Sequence, residues 1–394
     1  MKLAILSIAL LLIVAGCDPF HTHLSENDVY YYSKRTDNCQ TTESFSGDTI
    51  KVMTWNIKFG GGRIDFFFDC HGQRVIMDSA EVFANLEGIT QFIQTIKPHI
   101  LFVQEIDINS KRSAYINQVE WILANTHFNY AVYTPQWKAD YIPTNGLGKI
   151  NSGSAIFSVT PLFSAKRLAL PLIQEQNFLV RYFYLRRNLL DVCTNIDGDT
   201  IHLLTTHLAA YSTDGTKKKQ LDIVYNYLDS LDINGFPFII GGDFNTLPPG
   251  THKVKGFPDS ACKGEFEADD YSGEEEWMRP FYNRFNPAIP LSLYENNNQP
   301  FFTHSTSAHH FWNRKLDYIF TNLKLLPKSS VTYQSIKTDE TSMAVFYHKR
   351  TCINFIKPCE FHSANEINKK YTNEIQTMKL SDHCAISTVI VFNK

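Results

Sequence analysis

The sequence Phe236-Pro237-Phe238-Ile239-Ile240-Gly241-Gly242-Asp243-Phe244-Asn245 decides how the rest of the chain is interpreted. Its short apolar run predicts a buried strand. The two glycines predict a tight turn that brings the backbone close to a ligand. Asp243 and Asn245 follow at the carboxyl end of the strand, where open α/β sheets place their binding sites. The stretch therefore predicts a polar site around Asp243.

Polar side chains also mark the ends of several other strand-like segments. The alternating segment 51–57 carries Asn56 near its end, and the apolar run 100–103 leads into Glu105. An ionised glutamate after four apolar residues is costly unless a partner compensates its desolvation, and a bound cation is the usual partner. An acid that caps a helix is the alternative. The remaining polar residues of this kind are His207, Asp317, Asp382 and His383.

Strand and helix patterns alternate along the chain. Helical spacing of apolar residues predicts helices at 82–96, 113–125 and 216–231. Strand patterns lie at 51–57, 100–103, 130–133, 155–159, 179–192, 200–206, 236–240, 316–320 and 385–392. Asp197-Gly198 predicts a hairpin turn. This alternation predicts an α/β layered fold.

Two segments have weak periodicity. Residues 248–300 and 331–370 are therefore predicted as insertions, the first on the site side of the sheet. The acidic residues of the first insertion are expected in solvent, because their spacing is not that of an EF-hand. They are Asp269, Asp270, Glu274, Glu275 and Glu276.

The amino-terminal residues are typical of an export signal. Lys2 precedes an apolar run from Leu3 to Val14 that is too short for a comfortable membrane span. Residues 14–17, Val-Ala-Gly-Cys, resemble the bacterial lipobox, in which the cysteine is lipidated and becomes the new amino terminus. A plain signal peptide with an incidental cysteine is the alternative. We therefore expect a lipoprotein signal at 1–17, lipid on Cys17 and a polar tether at 18–48.

The eight cysteines do not form a recognisable zinc motif. With Cys17 carrying lipid, seven remain, and an odd number leaves at least one thiol free. Cys352 and Cys359 are close enough in sequence to pair, whereas Cys193 and Cys384 lie in apolar runs and are expected in the core.

Charge argues against general binding of polyanions. The net charge is −3, so contact with nucleic acid would need a local basic groove. The one basic cluster of note is Lys217-Lys218-Lys219. A solvated helix start is its favoured interpretation, and a phosphate-binding role is the alternative.

Six motifs in register resemble the endonuclease/exonuclease/phosphatase superfamily of metal-dependent phosphoesterases, which has the DNase I-like fold. They are Thr54-Trp55-Asn56-Ile57, Gln104-Glu105, Thr206-His207-Leu208, Gly242-Asp243-Phe244-Asn245, Leu316-Asp317-Tyr318 and Ser381-Asp382-His383. The resemblance implies a four-layered α/β sandwich with two mixed β-sheets, formed by a catalytic domain at 49–394.

The resemblance also implies a metal site. Glu105 would hold Mg²⁺ or Mn²⁺, with Asn56 and Asp382 beside it, because hard oxygen ligands suit such cations. Asp243 would orient or deprotonate the attacking water. Whether one or two metals act stays open.

The remaining roles concern the phosphate group. Asn245 and His207 would donate hydrogen bonds to its oxygens. His383, supported by Asp317, would contact it as a cationic or acid–base group. The principal base, Asp243 or His383, stays open.

The expected function is metal-dependent hydrolysis of a phosphate ester, preferably a phosphodiester, by an exported, monomeric lipoprotein. The protein would be membrane-anchored through Cys17 and face the periplasm or the cell surface. Its substrate could be a nucleic acid, which the acidic balance disfavours, a phospholipid head group or a small phosphorylated metabolite. A non-catalytic binding or scaffold lipoprotein on the same fold is the competing hypothesis.

Overall fold

The computed structural model describes residues 18–34, 47–69, 72–210, 212–257, 270–306, 311–337, 374–375 and 377–392. The strands are β1 (Tyr30–Ser33), β2 (Thr49–Asn56), β3 (Ile100–Asp107), β4 (Tyr130–Ile142), β5 (Gly148–Ser158), β6 (Leu162–Ala169), β7 (Asn188–Ile196), β8 (Asp199–His207), β9 (Phe238–Asp243), β10 (Asn286–Pro287), β11 (Asp317–Thr321), β12 (Lys324–Leu325), β13 (Val331–Thr332), β14 (Ile336–Lys337), β15 (Glu374–Ile375) and β16 (Ile386–Val391). The α-helices are α1 (Ser79–Ile96), α2 (Gln118–Asn125), α3 (Phe178–Phe183), α4 (Thr216–Ile233), α5 (Arg279–Arg284) and α6 (Leu291–Asn296).

Two mixed sheets form the centre of the domain. The first has the strand order β1-β4-β5-β3-β2-β16-β12, with β13 also pairing with β16. The second has the order β10-β11-β9-β8-β7-β6. Each sheet contains one parallel pair, β2 with β3 and β8 with β9, and the other pairs are antiparallel.

The apolar cores show four layers. One core packs the first sheet against α1 and α2, a second fills the space between the two sheets, and a third packs the second sheet against α4 and α5. Helix α1 begins with a capping box formed by Asp78 and Glu81, and it ends before Lys97 in the left-handed conformation. The sandwich expected from the sequence is confirmed.

The glycines of the central stretch have a different role from the expected one. Gly241 and Gly242 lie inside β9 and do not form a turn. A Cβ atom on Gly241 would lie 2.5 Å from the Phe102 ring of the other sheet, and one on Gly242 would lie 2.3 Å from the Thr206 carbonyl. Their small size therefore permits close packing of the two sheets and of neighbouring strands, so the turn prediction is wrong.

Two segments differ from their predicted structures. Residues 18–34 lie on the domain, and β1 pairs with β4, so the tether prediction is wrong for them; residues 35–46 lie outside the described residues. The segment 179–192 was predicted as one strand, but its first part belongs to α3 and only the part from Asn188 joins a sheet. The hairpin at Asp197-Gly198 is confirmed by the antiparallel pairing of β7 and β8.

The first predicted insertion carries α5, α6 and the short strand β10, and α5 packs on the core. Most of the second insertion, with Cys352 and Cys359, lies outside the described residues, as does Cys17. Cys193 and Cys384 are buried free thiols, as predicted. No helix among the described residues is long and apolar enough to span a membrane.

Candidate active site

The parallel strand pairs bring the predicted site residues to one end of the sandwich. β2 ends at Asn56, and β8 and β9 end at His207 and Asp243. Parallel strands end at the same edge of a sheet. Because the two sheets pack face to face, these three side chains lie together between them.

Glu105 is placed by an irregularity in β3. The register of β3 against β5 shifts between Gln104 and Ile106, which leaves Glu105 unpaired. Its φ angle is +54°, in the left-handed region. A bulge of this kind re-aims a side chain next to a site. The Glu105 side chain is 26% exposed, whereas the Asp243 side chain is 1% exposed.

The carboxylate of Asp243 is the centre of the site. The Asn56 amide Nδ2 donates to Asp243 Oδ2 and to Glu105 Oε1, each at 3.1 Å. The same Asp243 oxygen lies 3.4 Å from His207 Nε2 and 3.5 Å from His383 Nε2. Two carboxylates, two imidazoles and one amide thus converge at one point.

His383 is held by a second buried acid. Its Nδ1 lies 2.8 Å from Asp317 Oδ2. Burial alone would lower the pKa of His383, but the nearby Asp317 and Asp243 carboxylates raise it to about 10. Burial raises the pKa of Asp243 to about 7, with a further increase from Asp317 and an opposing effect from His383. His383 is therefore a cation at neutral pH, whereas Asp243 titrates near it.

His207 has the opposite character. Burial lowers its pKa well below the usual value, and the positive charges of Arg187 and His383 lower it further. Gln136 contacts its Nδ1 at 3.4 Å, and Arg187 donates to the Gln136 side chain at 3.3 Å. His207 is therefore neutral at physiological pH. Neither Gln136 nor Arg187 is predicted from the sequence, because their positions near His207 depend on how β4 and β7 lie in the fold.

Asn245 follows β9 in a strained conformation. Its φ angle is +49°, and its backbone N–H donates to Asp243 Oδ1 at 3.0 Å. Its Nδ2 donates to the Leu208 carbonyl at 2.9 Å, which uses one of the two amide hydrogens. The residue therefore fixes the orientation of Asp243 and keeps one donor for another acceptor.

Lys217 supports the same turn from α4. Its Nζ donates to the Asn245 carbonyl at 3.0 Å and lies 2.7 Å from Glu274 Oε1. Lys217 and Glu274 are both buried, so the expectation that they are solvated is wrong. The first insertion thus contacts the turn after β9 through a buried ion pair.

Asp382 forms an ion pair with Lys58. Its Oδ2 lies 3.3 Å from Lys58 Nζ, which also lies 2.9 Å from Asp69 Oδ2. Burial alone would raise the pKa of Asp382, but the Lys58 ammonium lowers it below its usual value. Lys58 was not identified from the sequence, although it follows Asn56 by two positions between apolar residues.

The donor set of the site fits a hard divalent cation at Glu105. Glu105 is the accessible acid of the cluster, and its carboxylate is neighboured by the amide of Asn56. Asn56 presents its Nδ2 to both carboxylates, and its Oδ1 accepts from the Lys58 N–H at 3.0 Å. Lys58 neutralises Asp382. Asn56 therefore fits as a neighbour of a Glu105-bound ion better than as a direct ligand, and Asp382 already has the Lys58 ammonium as its partner.

Two groups of three ligand atoms lie close together in the described residues, and neither includes Glu105. They are Asp243, Asp317 and His383, and His304, Asp382 and His383. His383 belongs to both, but Asp317 already contacts its Nδ1. The sequence analysis does not predict a role for His304. Its ring centroid lies 4.3 Å from that of His383, so the His304 ring packs beside the site.

Comparison with known proteins identifies relatives of the fold. The sequence profile of the Endonuclease/Exonuclease/phosphatase family matches residues 53–383. An endonuclease/exonuclease/phosphatase structure from Beutenbergia cavernae is 15% identical, with a TM-score of 0.50, over 88% of this chain and 72% of that chain. It shares the α/β fold.

Two further solved structures are similar. The human Nocturnin catalytic domain is 15% identical, with a TM-score of 0.47, over 93% of this chain and 98% of that chain. TDP2 from Caenorhabditis elegans is 14% identical, with a TM-score of 0.45, over 87% of this chain and 74% of that chain. No curated protein sequence matches the chain significantly.

Proposed function

The chain belongs to the Endonuclease/Exonuclease/phosphatase family, and on this premise we propose that it hydrolyses a phosphate ester, preferably a phosphodiester, by attack of water at phosphorus. Members of this family are phosphoesterases that use divalent metals. The main support for the proposal is the arrangement around Asp243 Oδ2. Side-chain nitrogens of Asn56, His207 and His383 lie within 3.5 Å of this oxygen.

Asp243 is suited to activate the water. Its pKa of about 7 lets its carboxylate accept a proton near neutral pH, where a general base works best. Asn56 and the Asn245 N–H each donate to it, so its orientation is fixed before substrate binds. An orientation fixed in advance lowers the cost of reaching the transition state.

The two histidines are suited to different tasks. His383 carries a positive charge held by Asp317, and its Nε2 faces Asp243, so it can donate to a phosphoryl oxygen on which charge increases. Neutral His207 can donate one N–H without adding charge. Asn245 supplies a further N–H through its second amide hydrogen.

A divalent cation bound at Glu105 would neutralise phosphoryl charge and lower the pKa of bound water. Glu105 would hold the ion, and the Asn56 amide would orient the Glu105 carboxylate. The Lys58–Asp382 ion pair would fix the backbone before His383. The Asp243 and His383 side chains then act on water and phosphate.

Three substrate classes remain: a nucleic acid, a phospholipid head group and a small phosphorylated metabolite. The net charge of −3 disfavours nucleic acid, because non-specific affinity for it depends on basic side chains. Membrane attachment would favour a lipid.

We also propose that the protein is an exported lipoprotein that carries acyl chains on Cys17. The support is the sequence alone: the apolar run from Leu3 to Val14 and the lipobox-like residues 14–17. The protein would then face the periplasm or the cell surface as a monomer.

A product screen tests the function. The purified protein is incubated with supercoiled plasmid, RNA, sphingomyelin, phosphatidylinositol and inositol phosphates, each with Mg²⁺ and with chelator. We expect hydrolysis of at least one class with Mg²⁺ and none with chelator. Chelator-resistant hydrolysis would contradict the metal requirement, and no hydrolysis of any class would favour a binding protein.

A further inference from the structure

The helix α3 exposes a run of apolar side chains. Phe178, Leu179 and Val180 are consecutive and are 71%, 68% and 45% exposed. A contiguous apolar patch on a protein surface marks a contact with a partner or a membrane. We call these three residues the α3 face.

The amino-terminal segment lies against the same helix. The Tyr182 hydroxyl donates to Asp18 Oδ1 at 2.5 Å. The Phe20 ring lies 6.4 Å from the Tyr182 ring and 5.3 Å from the Phe183 ring, measured between centroids. The Phe20 carbonyl accepts from the Asp140 N–H at 2.9 Å. These contacts fix Asp18, the first described residue, beside α3.

The position of Asp18 has a consequence for the proposed lipid anchor. Cys17 is joined to Asp18 by one peptide bond, which separates neighbouring Cα atoms by about 3.8 Å. Acyl chains on Cys17 would therefore enter the bilayer beside α3, with no tether between lipid and domain. Attachment at one point raises the effective concentration of neighbouring groups at the membrane.

We propose that the α3 face docks on the lipid bilayer, with Phe178, Leu179 and Val180 in the interfacial region next to the acylated Cys17. This inference rests on the lipoprotein part of the proposed function. The bilayer is the occupant that both observations favour, because the predicted anchor is joined directly to Asp18, and Asp18 contacts the helix that carries the apolar face. A second apolar contact also strengthens membrane attachment and sets the orientation of the domain.

Docking through α3 would hold the candidate active site near the membrane. Trp137 Nε1 donates to the Phe183 carbonyl at 2.7 Å. The neighbouring residue, Gln136, contacts His207 at 3.4 Å. The carboxyl end of α3 is thus connected to the His207 side of the site through two adjacent residues of β4.

The test uses a tryptophan as a probe of lipid contact. The full chain, expressed with its signal and purified in detergent, is reconstituted into vesicles of phosphatidylethanolamine and phosphatidylglycerol with or without brominated acyl chains. The probe variant is Leu179→Trp, and the matched control is Ile233→Trp at a position that is 69% exposed at the end of α4. The signal of the five native tryptophans is subtracted with the parent protein.

We expect the Leu179→Trp emission to shift to shorter wavelength in vesicles and to be quenched by brominated lipid roughly twofold or more beyond the control. Equal quenching of both variants while the protein stays vesicle-bound would overturn the docking proposal and leave the anchor intact. Mass spectrometry of the amino terminus reports the lipid separately. If Cys17 carries none, the unlipidated chain is mixed with the same vesicles, and an unchanged Leu179→Trp emission would then overturn docking.

Discussion

Oδ2 of Asp317 lies 2.8 Å from Nδ1 of His383, and both side chains are buried. This pair leaves His383 Nε2 facing Asp243, because the other ring nitrogen already has its partner. A carboxylate in this position fixes the imidazole orientation and stabilises its protonated form.

The pair predicts a specific loss in Asp317→Asn. Without the carboxylate, His383 loses its fixed orientation and much of its positive charge, so we expect kcat to fall roughly 100-fold or more. Steady-state kinetics with bis-p-nitrophenyl phosphate and Mg²⁺ provide the measurement. Asp191→Asn is the matched control, because Asp191 pairs with His202 at 2.9 Å outside the site and should leave kcat unchanged. Equal losses in both variants would refute a catalytic role for the pair.

The His202–Asp191 pair gives a prediction for stability against pH. The hydrogen bond that His202 Nδ1 donates to the Asp191 carboxylate, followed by its hydrogen bond with Cys193, raises the pKa of His202 to about 10. Because the pKa of His202 is higher in the folded state, the pair stabilises the fold fully below about pH 6.5, which is the pKa of histidine in the unfolded chain. This stabilisation is lost as pH rises through about 10. In urea unfolding at pH 6, the free energy of unfolding of the wild type should exceed that of His202→Gln by about 2 kcal/mol. The difference should shrink towards pH 10, and a pH-independent difference would contradict this account.

Glu105 is predicted to set the metal requirement. Glu105→Gln replaces the charged carboxylate with a neutral amide, which binds Mg²⁺ less strongly. The Mg²⁺ concentration for half-maximal activity should therefore rise about tenfold or more. The rise in melting temperature on adding Mg²⁺ should also diminish. Glu87→Gln, an exposed position on α1, is the control. Unchanged Mg²⁺ dependence in Glu105→Gln would show that the ion binds elsewhere.

The buried Lys217–Glu274 pair is predicted to support Asn245. Lys217→Met removes the donor to the Asn245 carbonyl and leaves Glu274 buried without its cation, which should cost about 3–5 kcal/mol of unfolding free energy. The exposed neighbour variant Lys219→Met should be neutral. Lys217→Met with Glu274→Met should recover stability but not kcat, because the contact to Asn245 is still missing. Recovery of both stability and kcat in the double variant would show that the Lys217–Glu274 pair has only a structural role.

The sequence predicted the site residues at strand ends because strand period and short polar motifs are local signals. Asn56, Glu105, His207 and Asp243 follow apolar runs, and parallel pairing brings such ends together. The bulge that turns Glu105 towards Asn56 has no such signal, because it depends on the register with β5.

The failed predictions at Lys217 and at α3 have different causes. A lysine run is usually solvated, but Lys217 points inward at the start of α4 and meets Glu274 from a distant segment. The apolar residues of α3 have the composition of a strand, and only the Asn177 cap, which accepts from the Val180 N–H, marks a helix start. A long-range partner decides the first case, and a local cap decides the second.

The central claim, that Asp243 is the water-activating group of a metal-dependent phosphoesterase, is tested most directly by turnover of bis-p-nitrophenyl phosphate with Mg²⁺ or Mn²⁺. We predict turnover by the wild type that is abolished by chelator and reduced roughly 100-fold or more in Asp243→Ala. A wild type inactive with every divalent metal, or an Asp243→Ala variant as active as the wild type, would contradict the claim.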